Sequence, residues 1–169
     1  MEHTDILLDS PQTLAPDARI LLLVDDEQNI LTALKRLLRG DGYHILTATG
    51  ADEGLALLSR YAAGVVMSDQ RMPQKCGVEF LTEVKMMRPH AVRIMLSGYT
   101  ELKSVVDAVN RAGIHKFLMK PWDDEQVRAT ILEAFQYHER LTADCPDQLH
   151  PAPSSAQMAF PFYGSAHAA

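Results

Sequence analysis

Five short apolar runs, each followed by a stretch of helical spacing, constrain the fold of this 169-residue chain more than any single motif. Ile20 to Val24 is continuously apolar, a length that suits a buried strand and is too short for a buried helix. From Gln28 onward Ile30, Leu31, Leu34, Leu37 and Leu38 recur at helical spacing, until Gly40 and Gly42 stop the helix. The pair of signals then repeats. Tyr43 to Ala48 precedes a helix over Gly50 to Tyr61 that carries Leu55, Leu57 and Leu58. The apolar run from Val65 precedes a helix with Val78, Phe80, Leu81 and Val84, which must end before Pro89. Val92 to Leu96 precedes Leu102, Val105, Val106 and Val109, ending near Gly113. Ile114 to Met119 precedes a last helix capped by Asp123, with Val127, Ile131, Leu132 and Phe135 facing inward and an end around Leu141. Five βα units of this length have one economical solution, a parallel sheet with helices on both faces.

Parallel strands bring their C-terminal tips to one edge, where open α/β sheets bind ligands. Here the tips carry chemistry. The first run ends in Asp25-Asp26-Glu27, the third in Asp69, the fourth in Ser97-Gly98 and the fifth in Lys120-Pro121. Singly, each has a plain reading: Asp25 and Asp26 suit a helix cap, Ser97 a turn and Lys120 a surface lysine. Together they converge. Crowded carboxylates repel one another unless a cation offsets them, and magnesium, with its preference for hard oxygen ligands, fits a few carboxylates, a carbonyl, water and a phosphate oxygen. Lys120 and the Ser97 hydroxyl could hold the remaining phosphoryl oxygens while Asp69 attacks phosphorus to give an acyl phosphate.

The composition agrees with a single domain in this class. A hydrophobic content of 47% is enough for a core, and a net charge of -6 argues against direct, nonspecific nucleic-acid binding. Cys76 and Cys145 are far apart with no metal-ligand spacing, which fits a reducing compartment. Glu2, Asp5 and Asp9 replace the basic start of a signal peptide, and no apolar run approaches spanning length. The reading is a cytoplasmic protein without membrane insertion. Residues 1–18 are expected to form a flexible leader, although Ile6, Leu7 and Leu8 could dock locally. Residues 142–169, rich in Pro, Ser, Ala and His, are expected to be a disordered tail, with Phe160-Pro161-Phe162-Tyr163 as a candidate docking peptide. Trp122 is expected as a partly buried anchor under the last helix, and His115 and His138 as surface residues.

The order Asp25-Asp26, Asp69 with Met72-Pro73 and Gly77, Ser97-Gly98, then Lys120-Pro121 resembles the receiver domain of two-component response regulators over residues 19–141. The resemblance implies a flavodoxin-like fold with strand order 2-1-3-4-5. It also implies phosphorylation of Asp69 by a sensor histidine kinase or histidine phosphotransfer protein, with Asp25, Asp26, Asp69 and the Arg71 carbonyl holding Mg2+. Lys120 would pair with the phosphoryl group, before a cis peptide bond to Pro121. Ser97 and Phe117 occupy the switch positions, and the linked surface is the face of helix 4, strand 5 and helix 5. Phosphorylation-dependent homodimerisation through that face is left open. Arg71 and Tyr99 hold the positions that tune phosphoryl lifetime in the family, and their bulk leads us to expect slow self-dephosphorylation.

Three other readings compete. The sequence could be the N-terminal part of a longer regulator with a cyclic-di-GMP phosphodiesterase or DNA-binding output domain, since Lys-Phe-Leu-Met-Lys-Pro-Trp-Asp-Asp and Asp-Gln-Arg-Met-Pro look like receivers so attached. A phosphatase of the haloacid dehalogenase type also forms an aspartyl phosphate, but its nucleophile is followed two residues later by an acid, and here Arg71 stands there. A scaffold that has lost phosphoacceptor function is disfavoured by the presence of the acceptor, acidic pair and lysine. The leading expectation is a phosphoacceptor signalling domain that catalyses only its own phosphorylation and dephosphorylation.

Overall fold

The computed structural model describes residues 14, 15, 17–98 and 109–144. Strands β1 (Ile20–Val24), β2 (His44–Ala48), β3 (Val65–Asp69), β4 (Val92–Gly98) and β5 (Lys116–Lys120) form one parallel sheet in the order 2-1-3-4-5. Helices α1 (Gln28–Leu38), α2 (Ala51–Arg60), α3 (Gly77–Met87) and α5 (Asp124–Ala143) alternate with them, and residues 109–112 are helical (α4). This is the flavodoxin-like fold. Leu102, Val105, Val106, Tyr99, Cys145, the leader's Ile6 to Leu8 and the aromatic tail peptide lie outside the described residues.

Strand alternation divides the core in two. Leu21 and Leu23 of β1 face α1 and α5, joining Leu31, Leu34, Leu38, Val127, Ile131 and Phe135. Ile20, Leu22 and Val24 face the other way, joining Leu58, Phe80, Leu81, Val84 and Ala112. Because the side-chain period of a strand is two, a slip of one residue would exchange these faces, so the two cores fix the register of each strand tip. Trp122 packs, partly buried, against the α1/α5 core as expected.

Four local readings change. Leu132 is 42% exposed, and the inner stripe of α5 is Val127, Ile131, Ala134 and Phe135; Leu132 is one position round from Ile131 and points outward. Strand β5 starts at Lys116 rather than Ile114, because the Arg93 backbone N–H goes to His115 Nδ1 at 3.0 Å instead of to a ladder carbonyl. His115 is therefore a partly buried acceptor, not a surface group; burial and the Arg93 charge hold it below the ordinary imidazole range, against the pull of that hydrogen bond. His138 is also partly buried and donates Nδ1–H to the His90 carbonyl at 2.8 Å.

Close packing is most severe where α3 begins. A Cβ placed on Gly77 would lie 2.3 Å from the backbone oxygen of Asp69, so only glycine lets α3 start against the tip of β3. Gly77→Ala is expected to lower the unfolding free energy by about 2 kcal/mol, because backbone must shift to admit the methyl group. A shift of the urea midpoint at constant m-value would show it.

Candidate phosphoryl and metal site

Each site residue is held where a strand gives way to a loop. Asp25 follows β1 and is 2% exposed; its Oδ1 accepts the Glu27 N–H at 2.9 Å, which turns the chain into α1. Asp26 beside it is exposed. Asp69 ends β3 at 4% exposure, and its backbone oxygen accepts the Ser68 hydroxyl at 2.9 Å. Lys120 ends β5, before a cis peptide to Pro121. It reaches past the end of β4: Nζ lies 2.9 Å from Asp69 Oδ1 and 3.0 Å from Asp25 Oδ2. One cation thus bridges the tips of two neighbouring strands that its own strand does not touch.

Burial alone would lower the Lys120 pKa. Hydrogen bonds and attraction from Asp69 and Asp25 outweigh it, and the ammonium is held above the ordinary lysine range. Ser97 is buried at 1% in β4, one residue beyond the Leu96 that pairs with Asp69, and its hydroxyl donates to the Gly98 carbonyl at 3.3 Å. Phe117 is partly buried against the core beneath α2, α3 and α4. Arg71 is exposed.

The three carboxylates suit a hard divalent cation. One oxygen from each of Asp25, Asp26 and Asp69 lies within 4.8 Å of the others, comparable to the span of an octahedral magnesium shell with ligands at about 2.1 Å. Two of the three are buried and one is exposed, which leaves an open side for water or a phosphate oxygen. Residue-type reasoning did not single out Gln70, whose backbone and side chain both bond to the first turn of α3, or Arg93, a buried guanidinium bonded to carbonyls. Neither contact has a signature in local spacing.

The fold and this acidic edge define a class of α/β signalling domains, and the comparisons give the family. The chain belongs to the response regulator receiver domain family, whose model matches residues 21–132. It is 42% identical over 116 residues to the hydrogenase transcriptional regulatory protein HoxA of Cupriavidus necator, a match covering 69% of this chain and 24% of that protein. A response regulator receiver domain protein from Clostridium thermocellum is 32% identical with a TM-score of 0.68, covering 73% of this chain and 98% of that one. The signal receiver domain of an HD domain-containing protein from Pseudomonas fluorescens Pf-5 is 30% identical with a TM-score of 0.71, covering 75% and 93%. The chain spans about a quarter of the length of the curated relatives it matches. Among the described residues, no helix is long and apolar enough to cross a membrane.

Removing Lys120 leaves two buried carboxylates facing each other. Lys120→Met is expected to cost about 3 kcal/mol near neutral pH. A raised lysine pKa contributes stability that is fully present below the unfolded value near about 10.4 and is lost as pH rises through the folded value. The gap between wild type and variant should therefore hold from pH 7 to about 10 and narrow above it, as urea titrations at several pH values can measure.

Proposed function

We propose that residues 19–141 act as a phosphorylation-controlled switch in two-component signalling, with Asp69 as the phosphoacceptor. The observation that carries this reading is the Lys120 ammonium bridging Asp69 and Asp25 at one sheet edge. Asp69 attacks the phosphorus of a phosphohistidine on a sensor kinase or phosphotransfer protein. A bond forms from its carboxylate oxygen to phosphorus as the bond to the imidazole nitrogen breaks, and the histidine keeps that electron pair. Lys120 moves from pairing two carboxylates to pairing a phosphoryl oxygen. The Ser97 hydroxyl turns from the Gly98 carbonyl toward another, and Phe117 follows by packing, carrying the change to the helix 4, strand 5 and helix 5 face.

Magnesium held by Asp25, Asp26, Asp69 and the Arg71 carbonyl would supply charge neutralisation for the transferring phosphoryl group. Phe117 has no phenolic hydroxyl, so the signal at this position travels through shape alone. A cytoplasmic setting is part of the proposal, and the free thiol of Cys76 suits a reducing compartment. The domain does no chemistry beyond gaining and losing its own phosphoryl group. A second reading, a receiver working within a longer regulator with a transcriptional output, is favoured by a match that covers only 24% of HoxA.

Incubation with acetyl phosphate and magnesium should add one phosphoryl group to the intact mass, and Asp69→Ala or chelation should abolish the gain. A magnesium-dependent adduct that persists in Asp69→Ala would overturn the assignment of the acceptor. The purified phosphoprotein should lose its label slowly, and Arg71→Ala, which opens the approach for water, should speed that loss several-fold. Rapid loss that is unchanged in the variant would sink the role given to Arg71.

A further inference from the structure

The first turn of α3 exposes backbone donors that no helical carbonyl can satisfy. Two are met within the turn's own capping box, where Cys76 N–H donates to Glu79 Oε2 at 3.0 Å and the Cys76 side chain receives the Glu79 N–H. The other two go to one residue across the loop. Gly77 N–H donates to the Gln70 backbone oxygen at 3.0 Å, and Val78 N–H donates to Gln70 Oε1 at 3.1 Å. Gln70 N–H in turn donates to the Leu96 carbonyl at 3.1 Å, so the same residue is tied to β4. Residues 71–76 form a loop whose two ends are pinned at Gln70. The absence of a Cβ at Gly77 lets those ends meet.

We propose that Gln70 is a positioning residue for the metal and phosphoryl site, its side-chain amide clamping α3 onto the acceptor strand and so fixing the backbone that carries the Arg71 carbonyl. This rests on the phosphoacceptor reading above. The backbone bonds of Gln70 are available to any residue, whereas the bond to Val78 needs an acceptor at the reach of a glutamine or glutamate. Without it, the Gly77 bond is the one described hydrogen bond left between Gln70 and the first turn of α3, and the start of α3 can pivot about it. Arg71 is the next residue in the chain, so the pivot moves a ligand carbonyl relative to Asp25 and Asp69. Outer contacts that hold ligands in place typically affect metal affinity by tenfold or more.

The test compares wild type, Gln70→Met, which keeps length but has no strong acceptor, and Gln70→Glu, which keeps the acceptor. Magnesium affinity is measured by titration calorimetry, and exchange of the Val78 amide by NMR. Gln70→Met should weaken magnesium binding about tenfold, and raise the magnesium concentration for half-maximal labelling by acetyl phosphate while leaving the rate at saturating magnesium close to wild type. Its Val78 amide should exchange faster. Gln70→Glu should restore protection of that amide and bring affinity to the wild-type value or above it, since its added charge acts in the same direction. Gln70→Ala serves if Gln70→Met does not fold. A Gln70→Met protein with wild-type magnesium affinity, or a Gln70→Glu protein that leaves Val78 unprotected, overturns the clamp. A wild-type protein that neither binds magnesium nor takes up the phosphoryl group overturns the phosphoacceptor reading and the clamp with it.

Discussion

Carboxylate crowding at one edge of the sheet is the constraint on which the arrangement of this molecule depends. A parallel sheet sends every strand tip to the same side, and here two of those tips carry buried aspartates. Two unit charges about 4 Å apart interact with about 4 kcal/mol at the effective dielectric of a protein surface, enough to matter against a total stability of about 5–15 kcal/mol. Lys120 answers that cost. Its position on β5 means that the last strand must pair correctly before the first and third are electrostatically satisfied. A local acid cluster thereby depends on the sheet from β1 across to β5.

The opposite edge is the electrostatic counterpart. In a βα repeat the helix N-termini point toward the strand tips and the C-termini away from them, so free carbonyls collect at the far side. Cations from other elements meet them. Arg128 on α5 donates to the Leu37 carbonyl of α1, Arg88 to the Leu58 carbonyl of α2, and Lys85 to the Arg111 carbonyl of α4. Arg93, at 4% exposure, reaches the carbonyls of Gly113 and Ala91. Burial pushes this guanidinium below its ordinary range, and the carbonyls of Gly113, Ala91 and Pro89 accept its N–H groups where, among the described residues, no carboxylate is paired with it. Buried acids at one edge, and cations on helix C-terminal carbonyls at the other, follow the direction of the helix dipoles.

These two edges were unequally legible in the sequence. Strands β1 and β3 and the start of α1 could be read because burial on both faces leaves a continuous apolar run and helices leave a 3.6-residue period. Asp25, Asp69 and Lys120 could be read because a charge that ends an apolar run stands out. Gln70, Arg93 and His115 could not, since their partners are backbone groups distant in the chain, and a carbonyl or N–H is the same at every position. Leu132 failed for another reason. An apolar residue next to Ile131 has the right type but the wrong angle, and only the placement of Val127 and Phe135 on the core decides between them.

Strand parity also sorts the residues at this edge onto two faces of the sheet. Leu118 belongs to the α1/α5 core, so Lys120, two residues on, continues that face; Leu23 and Met67 carry Asp25 and Asp69 onto the same side. Met95 belongs to the other core, and Ser97, two residues on, continues that face with Phe117, whose register partner is Met95. The charged side chains and the Ser97 and Phe117 positions thus lie on opposite faces of the sheet, one residue out of phase along a strand. Met95 and Phe117 both pack into the core beneath α2, α3 and α4, on the face that Ser97 continues. The period of two that builds the sheet puts Ser97 and Phe117 on one face and keeps both off the face that carries the charges.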